Sequence, residues 1–283
     1  MFSLLSFFFR RSHRWTYPLV SFLVAFGLIA SSPHPTQAVP WFDLIRGTAQ
    51  VIQLSNVSDS EEIQLGKQIN QQMVGREFQL YRNEAVNDYV NSVGQRLAAK
   101  SDRPNLPYKF QVVESDSVNA FATAGGFVYV TTQLLKTADN EAELAGVLGH
   151  EIGHIGHRHL IKQMRETAIA GSVATAAGLN TNQAVAIGVD LALRRPNSRK
   201  DEYEADQAGL KTLGRTGYAE SAMVSFMEKL LLQGGSGVPT FLSTHPATKD
   251  RIVRLREAID PQKADGRGLD NAAYKANIRP LLS

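Results

Sequence analysis

Apolar residues recur at helical spacing along most of this chain, and one central stretch alternates instead. Ser58, Asp59 or Ser60 can cap a helix running to about residue 78, with Ile63, Ile69 and Met73 on a broken apolar face. Asn83 starts a second helix, to about residue 100, carrying Val86, Val90, Val93 and Leu97 at helical spacing. After a breaker-rich loop the period falls to two. Tyr108, Phe110 and Val112 alternate with Lys109 and Gln111, which predicts a strand with one buried face. Residues 119–123 and 127–132 are two further strand candidates around Ala124-Gly125-Gly126, where paired glycines predict a turn or bulge. Residues 140–164 read as one helix, capped by Asp139 or Asn140, with Glu141 and Glu143 in its first turn and no proline. Two Ala/Gly-rich helical stretches follow, near 167–177 and 181–194. Neither holds the roughly 18 successive apolar residues of a membrane span, so they predict a small-residue hairpin. Pro196 ends that hairpin and Ser198 caps the next helix. Pro246 suits the first position of a last helix, to about residue 259. These elements make a mostly helical α+β chain with a small sheet.

The 140–164 segment contains His150-Glu151-Ile152-Gly153-His154. At 100° per residue the two histidines lie about 40° apart and one turn, about 5.4 Å, along the axis. Two imidazoles so placed reach one metal ion, and Glu151 flanks it. This is the H-E-x-x-H pattern of zinc peptidases, in which the glutamate is general base to the activated water. The same five letters can also be surface histidines on a polar face. The rest of the helix argues otherwise. Leu148, Ile152 and Ile155 form a core stripe opposite the histidines, and Gly146, Gly149, Gly153 and Gly156 gather on a third side. Interior glycine costs about 0.5–1 kcal/mol against alanine, so the cluster predicts another backbone packed there.

A zinc centre with a working site needs a third protein ligand and one open position. The chain has no cysteine, which excludes a thiolate ligand along with disulfides, a thiol nucleophile and a lipidated N-terminal cysteine. A third histidine ten residues after the first falls at Leu160, and His157 stands where that pattern needs glycine. His159 lies about 180° from His150 on a continuous helix and reads as a buried, satisfied histidine. His157, a turn beyond His154, is an alternative ligand. A carboxylate from the Ser198 helix fits better. Glu202 and Asp206, four apart, share a face, so that one can bind zinc while the other orients a histidine. Glu204, between Lys200 and Lys211, reads as part of a solvated charged face. The alternative for Glu202 is a pairing with a surface lysine.

Composition adds the setting. In 283 residues with 43% hydrophobic side chains there is ample chain for one catalytic domain. Arg10, Arg11 and Arg14 are the only charged residues before position 39, leaving 27 of the 30 basic side chains against 27 acidic ones. The body is neutral, and nothing points to nucleic acid. The arginines precede an apolar stretch from 15 to 30 that spans only about 24 Å as a helix, short of a bilayer core. It reads as a secretory signal in residues 1–38, with Thr36-Gln37-Ala38 a cleavage site, or as an uncleaved anchor that holds the protein at a membrane. A connector over 39–57, a catalytic domain over 58–259 and a tail over 260–283 complete the expected organisation.

The sequence resembles peptidase family M48, most of all its short exported bacterial members concerned with envelope protein quality control. The resemblance covers roughly residues 60–255. It rests on Asn119-Ala120-Phe121-Ala122 with Gly125-Gly126, the His150 motif through Arg158-His159, Ser198-Arg199 with Glu202 and Ala205-Asp206, and Ser243-Thr244-His245-Pro246 with Arg251-Ile252. Ala124 stands where the family often has proline. No repeat of about 34 residues follows Pro246, unlike in longer relatives with tetratricopeptide repeats. The resemblance implies a gluzincin-like domain with one zinc ion held by His150, His154 and Glu202, Glu151 as catalytic base and Asp206 supporting a histidine. It also implies that Asn119, Ala120, Phe121 and Ala122 form a substrate-binding edge strand; spacing alone leaves an ordinary hairpin equally open. Such an edge binds extended or unfolded polypeptide by main-chain hydrogen bonds.

His245 has three readings. Before a helix starting at Pro246 it would sit at the positive end, where the dipole disfavours imidazolium. A neutral ring can close the metal site at rest as a fourth ligand, donate to a developing oxyanion, or simply cap the helix. Gln233-Gly234-Gly235-Ser236-Gly237 just upstream is a flexible linker that would let this segment move. The expected activity is a zinc metalloendopeptidase of the periplasm or envelope. The competing readings are an envelope chaperone or scaffold that keeps the zinc fold without turnover, against which Glu151 stands, and a membrane-bound peptidase of lipidated substrates, which lacks its spans here.

Overall fold

The computed structural model describes residues 57–172, 181–233, 240–246 and 249–282. The expected leader and its cut site, nearly all of the 39–57 connector, the hairpin joint at 178–180 and the glycines of the 234–237 linker lie outside the described residues. Among the described residues no helix is long and apolar enough to cross a membrane.

Helix α1 (Asp59–Met73) begins at Ser58, whose hydroxyl accepts from Glu61 N–H while the Glu61 carboxylate returns to Ser58 N–H, a complete capping box. It stops five residues short of the predicted end, at Val74, because the chain turns through Gly75 at φ +85° and bridges back at Phe78. Helix α2 (Glu84–Ala98) starts at the Asn83 cap and buries the four apolar positions that defined it. Strands β1 (Lys109–Val113), β2 (Ala120–Ala122) and β3 (Phe127–Thr131) form one sheet in the order β1-β3-β2. β1 runs parallel to β3, and β2 runs antiparallel to it as the outer strand.

The expectation of one buried face on β1 is corrected. Phe110, Gln111, Val112 and Val113 are all buried, because the sheet is covered on both sides. Phe110 and Val112 join the core formed with α2, while Val113 joins a second core with Phe121, Tyr129, Ile69 and Met73.

Helix α3 (Thr132–Thr137) leads to α4 (Glu141–Gly156), whose cap is Asn140, accepting from Glu143 N–H at 3.0 Å. Every residue of α4 from Ala142 to Ile155 is buried. The single helix predicted over 140–164 is in fact two. α4 ends at His157, Arg158 takes a left-handed φ of +55°, and α5 (His159–Ser172) starts in a new direction. A non-glycine residue in that region needs support. Arg158 has it from Glu62 at 3.1 Å, from Asp59, and from Val57 O at 2.7 Å, while Arg103 donates to the α4 end carbonyl of Ile155 at 3.0 Å.

Helix α6 (Thr181–Arg194) packs against α5 and α1. Helix α7 (Arg199–Thr216), capped by Ser198, makes the most extensive helix contact among the described residues, with α4. Helix α8 (Ser221–Gln233) closes another side of α4. A single-turn helix α9 (Thr240–Thr244) and then α10 (Lys249–Ala258) and α11 (Asn271–Asn277) complete the order. His245 therefore follows α9, its N–H donating to Phe241 O at 2.8 Å, and does not head the helix expected to begin at Pro246. The helix-capping reading of His245 fails on that placement.

Candidate metal centre

The α4–α7 contact builds the site. Gly153 on α4 faces Ala205 on α7, where a Cβ would come within 2.7 Å of the Ala205 carbonyl oxygen. Gly149 faces the backbone of Gly209, and Gly146 that of Met223 on α8, whereas Gly156 meets open space. Three of the four glycines thus admit a neighbouring backbone. The close approach brings Glu202, one helical turn before Ala205–Asp206, directly over the histidines of α4.

His150, His154, Glu202 and His245 converge, one donor atom of each lying within 4.8 Å of all the others, and all four are buried. His150 Nε2 and His154 Nε2 are 3.0 Å apart, and Glu202 carboxylate oxygens lie 3.4 Å from the first and 3.3 Å from the second. His245 Nδ1 adds contacts of 3.3 Å to His150 Nε2 and 3.0 Å to Glu202 Oε1. A tetrahedral zinc with bonds of about 2.0–2.1 Å sets its ligand atoms roughly 3.3–3.4 Å apart. The donor set and its spacings fit a metal ion. Glu151, wholly buried, offers two carboxylate oxygens with no hydrogen-bond partner and lies 3.4 Å from His245 Nε2. A buried carboxylate held this loosely beside such a centre is suited to accept a proton from a water molecule there.

Asp206 stands behind the cluster, its Oδ1 3.0 Å from His150 Nδ1, which leaves His150 Nε2 directed at the metal position. Arg251 from α10 clamps the rear. It binds both Asp206 oxygens at 2.7 Å and reaches Glu202 Oε2 at 2.6 Å. The sequence offered Arg251 only as part of a family pattern, with no spacing to reveal the clamp. His159, placed by sequence on the core stripe, is buried but sits beside His154, with the two Nδ1 atoms 2.8 Å apart. The helix break brings it there. His157 is exposed and outside the cluster, so its reading as an alternative ligand is corrected. Asn197 Nδ2 lies 3.4 Å from His245 Nδ1, a neighbour that sequence reasoning missed.

The electrostatics separate the groups. Burial opposes the imidazolium form of His150, yet Asp206 and Glu202 outweigh it and raise its pKa to about 9. Burial prevails at His154, helped by the charges of His150 and His245, and lowers it to about 3. Burial also raises the Glu151 carboxyl, against the pull of His245 and His150. Glu202 resists burial and stays well below the usual carboxylate range because His245, His150 and His154 surround it.

Outer strand β2 borders this centre. Phe121 and Ala122 line the same narrow cavity as Glu151, His154 and His245, with Leu191 at the end of α6 and Asn197 across from them. Asn119 and Ala120 are buried at the start of the strand.

Residues 84–259 match the sequence profile of peptidase family M48. The chain belongs to peptidase family M48. Among M48 relatives it is 32% identical over 224 residues to the beta-barrel assembly-enhancing protease of Escherichia coli, covering 74% of this chain and 46% of that protein. It is 32% identical over 266 residues to the protein of that name in Yersinia pestis, covering 87% and 53%. A mitochondrial metalloendopeptidase of Arabidopsis thaliana is 34% identical over 168 residues, covering 57% and 33%. The matched part spans about half the length of these two bacterial proteases. The M48 assignment agrees with the mostly helical fold, the small sheet and the His150, His154, Glu202 cluster, which fits an H-E-x-x-H zinc site.

Proposed function

We propose that the protein is a zinc metalloendopeptidase that cleaves unfolded or misassembled proteins of the cell envelope. The observation that carries this reading is Glu151, a wholly buried carboxylate 3.4 Å from His245 Nε2, beside a His150, His154, Glu202 set at metal-ligand spacing. Zinc held by these three residues supplies Lewis acidity, acidifying water and polarising a peptide carbonyl. Glu151 accepts the proton from the attacking water and delivers it to the leaving amine. Asp206 and Arg251 keep His150 and Glu202 in register. The envelope setting is supported by the apolar, arginine-preceded segment at the N-terminus and by bacterial relatives named for beta-barrel assembly.

Substrate is held as an added strand on β2 through residues 119–122, which favours extended chain over folded protein. The cavity between β2 and the 191–197 segment has only about 40 Å³ free. That is room for a few waters, each needing about 10–15 Å³, and not for a polypeptide. Binding therefore requires that segment and His245 to move off. His245, within ligand distance of the cluster, closes the centre at rest as a fourth ligand and withdraws for substrate.

Casein digestion tests the activity. Glu151→Gln should abolish cleavage, a loss of at least about 100-fold given the usual weight of general base catalysis, while zinc content stays at wild-type level. Undiminished digestion by the variant removes the mechanism, and no chelator-sensitive digestion by the wild type favours a chaperone or scaffold. His245→Ala should raise casein turnover if the ring is a resting gate. A fall with unchanged zinc content would instead assign it to the oxyanion.

A further inference from the structure

The break after α4 assembles a second group of donors outside the first. On a continuous helix His159 would lie on the far side from His150. Left-handed Arg158 swings it round, so that His159 Nδ1 meets His154 Nδ1 at 2.8 Å and His159 Nε2 meets Glu204 Oε2 at 3.0 Å. The exposed ring of His157 stacks on His159, with centroids 5.5 Å apart and planes inclined by 11°. One donor atom from each of His157, His159 and Glu204 lies within 4.8 Å of the other two. Two imidazoles and a carboxylate suit zinc, copper or nickel rather than magnesium or calcium. Glu204, its side chain 33% exposed, and His157 open the group to solvent. Asp201 Oδ1, 3.6 Å from His159 Nε2, adds negative charge that Lys162 partly offsets at 2.6 Å, and Lys200 stands 3.6 Å from the other Glu204 oxygen.

We propose that His157, His159 and Glu204 form a second, surface site for a divalent transition ion of the zinc class, coupled to the first through the His154–His159 hydrogen bond. Tautomers define the coupling. His154 turns Nε2 to the inner cluster, so its proton sits on Nδ1 and is donated to His159 Nδ1. With no outer ion, His159 therefore carries its proton on Nε2 and shares it with Glu204. An outer ion takes the Nε2 lone pair, so the ring stays neutral only by moving that proton to Nδ1. His159 Nδ1 then no longer accepts from His154, and Glu204 is occupied by the ion. An occupied outer site weakens the support of an inner ligand, and excess metal slows the enzyme. The coupling rests on the zinc reading of the inner cluster, whereas the outer site does not.

Equilibrium dialysis of the full chain against zinc, with metal counted by atomic emission, tests the site. The wild type should bind two ions per chain, the outer one more weakly. His157→Ala, at an exposed position, should bind one, and Glu204→Gln should weaken the second ion at least tenfold. His150→Ala should keep the outer ion alone. Circular dichroism confirms that each variant is folded. In casein digestion, zinc inhibition of the wild type should follow occupancy of the second ion and shift at least tenfold in His157→Ala. A wild type that saturates at one ion lost in His150→Ala, or a second ion undisturbed by both His157→Ala and Glu204→Gln, overturns the proposal. A single ion that survives His150→Ala and is lost in His157→Ala upholds the outer site and removes the inner one.

Discussion

Glu151 and Glu202 are buried carboxylates on two packed helices, and their surroundings drive them apart. Burial raises Glu151 toward its protonated form, whereas the ring nitrogens around Glu202 keep it ionised. One carboxyl pushed up and one held charged are the pairing that the proposed hydrolytic centre requires. The same residues set how the metal-free protein responds to pH. His150, raised to about 9, contributes stability that is complete below the ordinary histidine value of 6.5 and is lost as pH rises through 9. His154, lowered to about 3, contributes stability complete above 6.5 and lost as pH falls toward 3. Glu202 and Asp206, both lowered, add losses below their ordinary values of 4.5 and 3.8. Glu151, raised, contributes stability present below 4.5 and lost as pH rises, so urea midpoints of the metal-free chain should fall as pH drops below 4.5 and as it rises from 6.5 through 9. A midpoint that climbs steadily from about pH 5 to 9 contradicts this.

Helices α4 and α7 carry the geometry because their backbones approach through glycine. Gly153 has the Ala205 carbonyl oxygen 2.7 Å from where its Cβ would be, and backbone cannot rotate away as a side chain can. Gly153→Ala should cost about 1–3 kcal/mol by overpacking, in spite of its better helix propensity. It should also weaken zinc binding, since α7 can yield only by carrying Glu202 with it. Gly156→Ala faces open space and is the control. Thermal melts and zinc competition against a chelating dye measure both. Equal melts for the two variants would show that the close packing contributes nothing. The end of α4 matters in a different way. Glu62, buried on α1, binds Arg103 and Arg158 and accepts from Gly125 N–H at 3.3 Å, so one carboxylate steadies both the helix break and the turn beside β2.

Across the whole chain the centre is also a staple, since its clustered donor residues come from α4, α7 and the segment after α9. An ion bound only by the folded state stabilises it by about 2.7 kcal/mol at a hundredfold excess over Kd. A chelator should lower the melting temperature by several degrees, and zinc should restore it. No change on chelation would mean that the helices meet without help from metal and that the site is empty in solution. Much of this was legible beforehand. Caps at Ser58, Asn83, Asn140 and Ser198, the apolar spacing of α2 and the glycine side of α4 are local patterns, and local patterns report local backbone geometry. The H-E-x-x-H pair was legible for the same reason, both histidines lying on one helical turn. Periodicity could not reveal the covering of β1 on both faces, because that depends on which distant helices arrive. Nor could it reveal the break at Arg158, whose left-handed backbone is supported by ion pairs with Glu62 and Asp59 some 100 positions away. The clamp of Arg251, the approach of His245 after α9 and the placing of His159 behind His154 are likewise contacts between remote segments. Residue order fixes what a turn of helix presents, but convergence is decided by how the cores pack.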